Sequence, residues 1–142
     1  MAFTGNFTCN SFKTDLFNGT TDFSSTTTYK IALYTNDATL NASTTVYTTV
    51  GEVVASGYSA GGNVLTPTVG STGGTAFVNF ANTSWSSALT ARGALIYRSG
   101  TYGGVTNPAV CVLDFGADRT STTTFTVQFP ATSSTTALIR LA

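Results

Sequence analysis

The run Ala91-Arg92-Gly93-Ala94-Leu95-Ile96-Tyr97-Arg98 constrains this chain more than any other stretch. It is the most nearly continuous apolar run in the sequence, and Ala94 to Tyr97 leave no polar face. A run this brief is too short for a membrane span and reads as a strand buried on both sides. A second run of the same character, Ala109-Val110-Cys111-Val112-Leu113-Asp114-Phe115, is its expected partner. The lone Trp85 lies just upstream of the first run, where its bulky ring can cover one face of the core.

The rest of the chain repeats the strand signal. Thr is the most abundant residue and, with Val, Tyr and Phe, suits a pleated sheet. Residues 3–9 form a first strand or an extended N-terminal arm. Asn10 or Ser11 then caps a short helix with Phe12, Leu16 and Phe17 on one face and Gly19 as its stop. Tyr29 to Tyr34 is a clear strand, residues 35–45 a polar surface loop, and Val46 to Val54 a return of β-branched residues. Gly57, Gly61 and Gly62 mark a sharp bend, and without a following Lys and helix they are not a phosphate loop. A strand from Asn63 meets Pro67, which marks an edge or an end, and Gly70 to Gly74 turns into Thr75–Phe80. After the two apolar runs, joined by a glycine-rich loop over Ser99 to Asn107, Gly116 to Arg119 reads as a turn. Thr122 to Phe129 and Ala137 to Leu141 read as the closing strands. About eight strands separated by turns, with one short N-terminal helix, predict an all-β, single-domain β-sandwich over residues 1–142, jelly-roll-like in architecture.

Composition narrows the functions. At 142 residues the chain has the usual size of one domain and can bury a core without a metal or disulfide staple. Charged residues are 8% against a usual share of about 25%, and formal net charge is zero. Lys13, Lys30, Arg92, Arg98, Arg119 and Arg140 are scattered singly, which argues against direct nucleic-acid binding. An uncharged, hydroxyl-rich surface is less well protected against association and suits a protein with close neighbours. The first residues, Met1 to Gly5, carry no signal-peptide pattern, and the Asn-X-Ser/Thr triplets at Asn6, Asn18, Asn41 and Asn82 are expected by chance in so Thr- and Ser-rich a chain.

Little in the residues points to catalysis. There is no His, so the commonest general base and metal ligand is missing, and no conventional triad can form. Asp114 and Asp118 beside Arg119 are the nearest approach to an acidic cluster, for a cation or an acid pair; the plainer reading is a strand-end and a turn aspartate making local hydrogen bonds, and the same holds for Asp37. Arg92 and Arg98 bracket the apolar run and either reach carboxylates across a subunit boundary or form weak pairs within the chain. Tyr58, Tyr102 and Trp85 stack on sugars or pack in the core and turns. Cys9 and Cys111 read as two buried free thiols rather than a disulfide. No catalytic, cofactor-binding or metal residues are assigned.

The order of several short signatures adds a resemblance. Phe7-Thr8-Cys9-Asn10-Ser11-Phe12-Lys13 comes first, then Tyr29-Lys30-Ile31-Ala32-Leu33-Tyr34-Thr35. Gly51-Glu52-Val53 and Gly57-Tyr58-Ser59-Ala60-Gly61-Gly62 follow, then Trp85 and Ala91 to Tyr97. Val112-Leu113-Asp114-Phe115-Gly116 and Phe125-Thr126-Val127-Gln128-Phe129-Pro130 finish the series. Over nearly its whole length the chain resembles small virion proteins of tailed bacteriophages, most of all capsid decoration (cement) proteins. The resemblance implies a non-enzymatic structural protein, made in the host bacterial cytoplasm and bound on the outer surface of the phage head. Its implied partners are the major capsid protein and itself, as a homodimer or homotrimer, with no membrane, no nucleic acid and no cofactor. The alternative is a tail or fibre-associated adhesin holding host glycans through Tyr58, Tyr102 or loop 35–45.

Overall fold

The two apolar runs pair with each other. A computed structural model describes residues 3–142. Its elements in chain order are β1 (Phe7–Thr8), α1 (Asn10–Asn18), β2 (Thr28–Tyr34), β3 (Asn63–Leu65), β4 (Pro67–Thr72), β5 (Thr75–Phe80), β6 (Thr83–Trp85), β7 (Thr90–Ser99), β8 (Thr101–Tyr102), β9 (Val105–Thr106), β10 (Ala109–Thr120), β11 (Phe125–Val127) and β12 (Ile139–Leu141). A five-stranded sheet runs β1-β10-β7-β2-β3, a three-stranded sheet β12-β5-β4, and two-stranded pieces join β11 to β6 and β8 to β9. Every pairing is antiparallel. The chain is all-β and sandwich-like, with one short helix.

β7 sits inside the larger sheet between β10 and β2, with Leu95 opposite Val112 on one side and Ala32 on the other. Ala94, Leu95, Ile96 and Tyr97 are buried, as an apolar run covered on both faces requires. Gly93 is needed there for close approach: a Cβ on it would come within 2.4 Å of both the Leu113 carbonyl oxygen and the Phe3 ring. The sheets share an aromatic core. Phe23 stacks on Tyr29 of β2 with centroids 4.7 Å apart and meets Phe80 of β5 edge-on at 6.3 Å. Phe12 of α1 meets Phe23 edge-on at 6.0 Å, which docks the helix on the same cluster.

Several boundaries differ from the sequence reading. The segment 3–9 contributes only the two-residue β1, with Phe3 buried, and Met1 and Ala2 lie outside the described residues. The helix is capped by Cys9, not Asn10 or Ser11; Cys9 is extended and its side chain makes no capping hydrogen bond. Gly19 does end it in the left-handed region, with Gly19 and Thr20 amides returning to Leu16 and Asp15 carbonyls. Phe12 and Leu16 face the core, but Phe17 is 92% exposed, because it lies roughly 140° round the helix from Phe12.

Val46 to Val54 forms no strand; it makes only isolated bridges, Val46 to Pro108 and Glu52 to Tyr34. Loop 35–45 is not wholly at the surface, since Ala38 and Leu40 are buried. The turn after Pro67 is confined to Gly73 and Gly74, so Gly70 belongs to β4. Gly116 to Arg119 is a bulge in β10 rather than a turn: four residues, 115–118, lie opposite Arg92 alone between the pairs Asp114–Gly93 and Arg119–Ala91. The glycine-rich loop folds into the β8–β9 hairpin, and the closing strands shrink to β11 and β12. Among the described residues, no helix is long and apolar enough to cross a membrane.

Candidate functional site

The most organised polar group is one that the sequence reading passed over. Glu52, the only glutamate, is buried and accepts three short hydrogen bonds. Tyr47 Oη donates to its Oε2 at 2.6 Å; Tyr58 Oη and the Gly61 amide both donate to Oε1 at 2.7 Å. The network extends outward. Tyr58 Oη accepts the Leu33 amide of β2 at 2.8 Å, and Tyr97 of β7 donates to the Gly61 carbonyl at 2.8 Å while stacking on Tyr47 at 4.7 Å. A buried carboxylate is tolerable only when donors replace its lost water, and these three do so. Burial above all, together with the neighbouring Glu52, holds the Tyr47 and Tyr58 hydroxyls well above the ordinary tyrosine range and pushes Tyr97 up to about 12. Gly62 completes the bend, because a Cβ there would overlap the Ile31 carbonyl oxygen at 1.8 Å. The network therefore ties segment 35–62, which has no strand of its own, to β2 and β7. A sole glutamate set among valines and tyrosines was the signal for it.

The residues singled out from sequence are held inside the chain. Asp114 accepts Arg92 Nε at 3.1 Å and the Gly116 amide at 2.8 Å, and both side chains of the ion pair are mostly covered. Partial burial works against the Asp114 charge, but the Gly116 amide and the Arg92 guanidinium outweigh it and hold the carboxyl below the usual range. Asp118 is exposed, and Arg119 bonds back to the Phe115 carbonyl at 3.1 and 3.3 Å. The structure thus takes Asp114 out of any acid pair with Asp118. Among the described residues, no group of three or more His, Cys, Asp or Glu side chains is placed to hold a metal ion. Asp37 is exposed, and its backbone amide donates to Thr35 Oγ1 at 3.3 Å.

Arg98 is buried beneath the Tyr102 ring, 3.6 Å from its centroid, and donates to the Thr20 carbonyl. Within the chain, Arg92 pairs with Asp114 through Nε, and Arg98 is held by Tyr102 and Thr20. Tyr58 is committed to Glu52, and Trp85 is buried against Tyr58 and Phe125 at 5.9 and 6.3 Å, so both belong to the core rather than to a sugar platform. Cys9 and Cys111 are free and buried; burial pushes the Cys9 thiol up to about 11 and raises Cys111 as well.

What remains for contact is the outer surface. Val54 is 97% exposed and Phe17 92%, and Val50 and Val64 are also largely exposed, amid Thr, Ser, Asn and Gly. A cleft of about 140 Å³ opens between α1 and the three-stranded sheet, lined by apolar side chains that include Leu16, Phe23, Val69 and Leu141. A broad shallow groove of about 800 Å³ runs along Phe115, Arg119 and the hydroxyls of residues 120–124. No protein-family model, curated protein or solved structure matches the chain.

Proposed function

We propose that this chain is a structural virion protein of a tailed phage, a decoration protein that binds the outside of the head across seams between major capsid protein subunits. The observation that carries the reading is the ordered series of signatures from Phe7 to Pro130, which runs nearly the whole length of the chain. The way the fold uses its polar groups supports it. Glu52, Asp114, Arg92 and Arg98 are engaged in holding elements together, while the surface presents hydroxyls and isolated apolar side chains such as Val54 and Phe17. Such a surface binds by complementarity repeated over many copies rather than by a single deep site. The adhesin alternative is weakened, because Tyr58 is buried and one face of Tyr102 is covered by Arg98. The test is reconstitution. Purified protein added to capsids lacking it should co-sediment and raise their melting temperature; free protein in the supernatant with unchanged capsid melting would overturn the reading.

A further inference from the structure

We infer that the β4 edge is a self-association surface, at which two copies pair antiparallel about a two-fold axis at Gly70. The inference rests on the decoration-protein reading only for its expectation of a homodimer or homotrimer; it concerns the isolated protein and needs no capsid.

An open strand edge is a row of unpaired amides and carbonyls, and proteins guard such edges with short strands, charges, prolines or bulges. The other outer strands of these sheets follow that rule. β1 has two residues, β3 three, and β12 three including Arg140, while the part of β10 beyond β1 is bulged and carries Asp114, Asp118 and Arg119. β4 does not. It has six residues and pairs with β5 along its full length without a register shift. There is no charge between Glu52 and Arg92 in the sequence, so none falls on β4 or its hairpin partner. Its one proline, Pro67, is the first residue of the strand, which leaves the rest of the edge open. The Gly73–Gly74 turn, with φ of 59° and 84°, has the positive dihedrals that fix a two-residue hairpin and its register.

That register says which groups are free. The Ala81 amide bonds the Thr66 carbonyl at 3.1 Å, and antiparallel bonding alternates from there, so Thr68, Gly70 and Thr72 bond inward to β5. Val69 and Ser71 therefore turn both their amide and carbonyl outward, and Pro67 its carbonyl. A two-fold at Gly70 sets Val69 of each copy opposite Ser71 of the other. Each such pair exchanges two N–H···O bonds. Gly70 lies at the close crossing point, and the Phe77 ring packs over its Cα, covering the gap a missing side chain leaves. With no like charge on either edge, nothing electrostatic opposes a second copy of this chain. Val69, 61% exposed, stands at the mouth of the apolar cleft beside α1, so the pairing would bring the two clefts together on one side of a continuous six-stranded sheet.

The test is sedimentation of the purified chain over a wide micromolar range, with hydrogen exchange read at single amides. The expected result is a reversible dimer in which the Val69 and Ser71 amides become slower to exchange as concentration rises, while Gly70 is protected throughout. Val69→Lys should weaken the dimer at least about tenfold, since it installs a guard charge on both copies at once. Val64→Lys, on the equally exposed β3 edge, should leave the dimer unchanged. A chain monomeric across the range would overturn the inference. So would a dimer insensitive to Val69→Lys, or one equally weakened by Val64→Lys. Because no capsid is present, either failure leaves capsid binding to be judged on its own experiment.

Discussion

Removing Glu52 should be among the most damaging single changes in the protein, and its cost can be worked from the bonds it accepts. Glu52→Ala deletes three hydrogen bonds to a buried charge and leaves the Gly61 amide and two tyrosine hydroxyls without their acceptor. Bonds to charged groups contribute roughly 1.5–3 kcal/mol each, and the relief of unburying a carboxylate offsets part of that sum. A net loss of about 3–5 kcal/mol follows, a large fraction of a total near 5–15 kcal/mol. At roughly 4 °C per kcal/mol for a chain of this size, the melting temperature should fall by about 12–20 °C. Glu52→Gln should be milder, at about 1–2 kcal/mol. Its oxygen can keep Tyr58 and Gly61, and its amide can face Tyr47, whose hydroxyl can turn to accept. The tyrosines should also rank: Tyr58→Phe removes a donor to Glu52 and the acceptor of the buried Leu33 amide, so it should cost more than Tyr47→Phe, which loses one bond. Chemical denaturation of the four variants reads all of this. Glu52→Ala within about 1 kcal/mol of the parent, or Tyr47→Phe costlier than Tyr58→Phe, would refute the network as the anchor of segment 35–62.

Other expectations follow from the same geometry. Tyr29, Tyr34, Tyr47, Tyr58 and Tyr97 all have folded pKa values raised by burial. The stability this represents is present below about pH 10 and is lost as pH rises toward the folded values. Tyrosinate absorbance should therefore appear together with unfolding, and full ionisation in a still-folded protein would contradict the burial. Asp114 has the opposite sign: its lowered pKa stabilises above the ordinary Asp value near 4 and is lost as pH falls below it. Asp114→Asn should remove that acid-side dependence at a cost of about 1–3 kcal/mol at neutral pH, read by urea melts across pH. Cys9 and Cys111 should resist a thiol reagent in the native protein and both react once it unfolds; rapid native labelling would place one of them at the surface.

How much of this could be read from the chain varies by element. The apolar runs at 91–98 and 109–115 announced both their burial and their pairing, because a strand with no polar face has one place to go. Gly19 as a helix stop and Pro67 at an edge were legible for the same local reason: each fixes its own backbone. Phe17 was misplaced, since three apolar residues within six do not all share a face at 3.6 residues per turn. Val46 to Val54 looked like a strand from β-branching alone; its residues find partners in Pro108, Asn107 and Leu33, contacts set by tertiary placement rather than periodicity. The Gly116 bulge read as a turn for want of the one fact that corrects it, that Asp114 and Arg119 both continue to pair with β7. Among candidate site residues, the sequence left Tyr58 and Arg98 open between a contact role and packing within the chain, and long-range packing buried both.

We propose that this fold works as an added outer layer on a phage head. A cryo-EM map of the particle that carries the chain tests it most directly. Density for this sandwich is expected on the outside of the shell, repeated over the seams between major capsid protein subunits. Density confined to the tail or its fibres would contradict it.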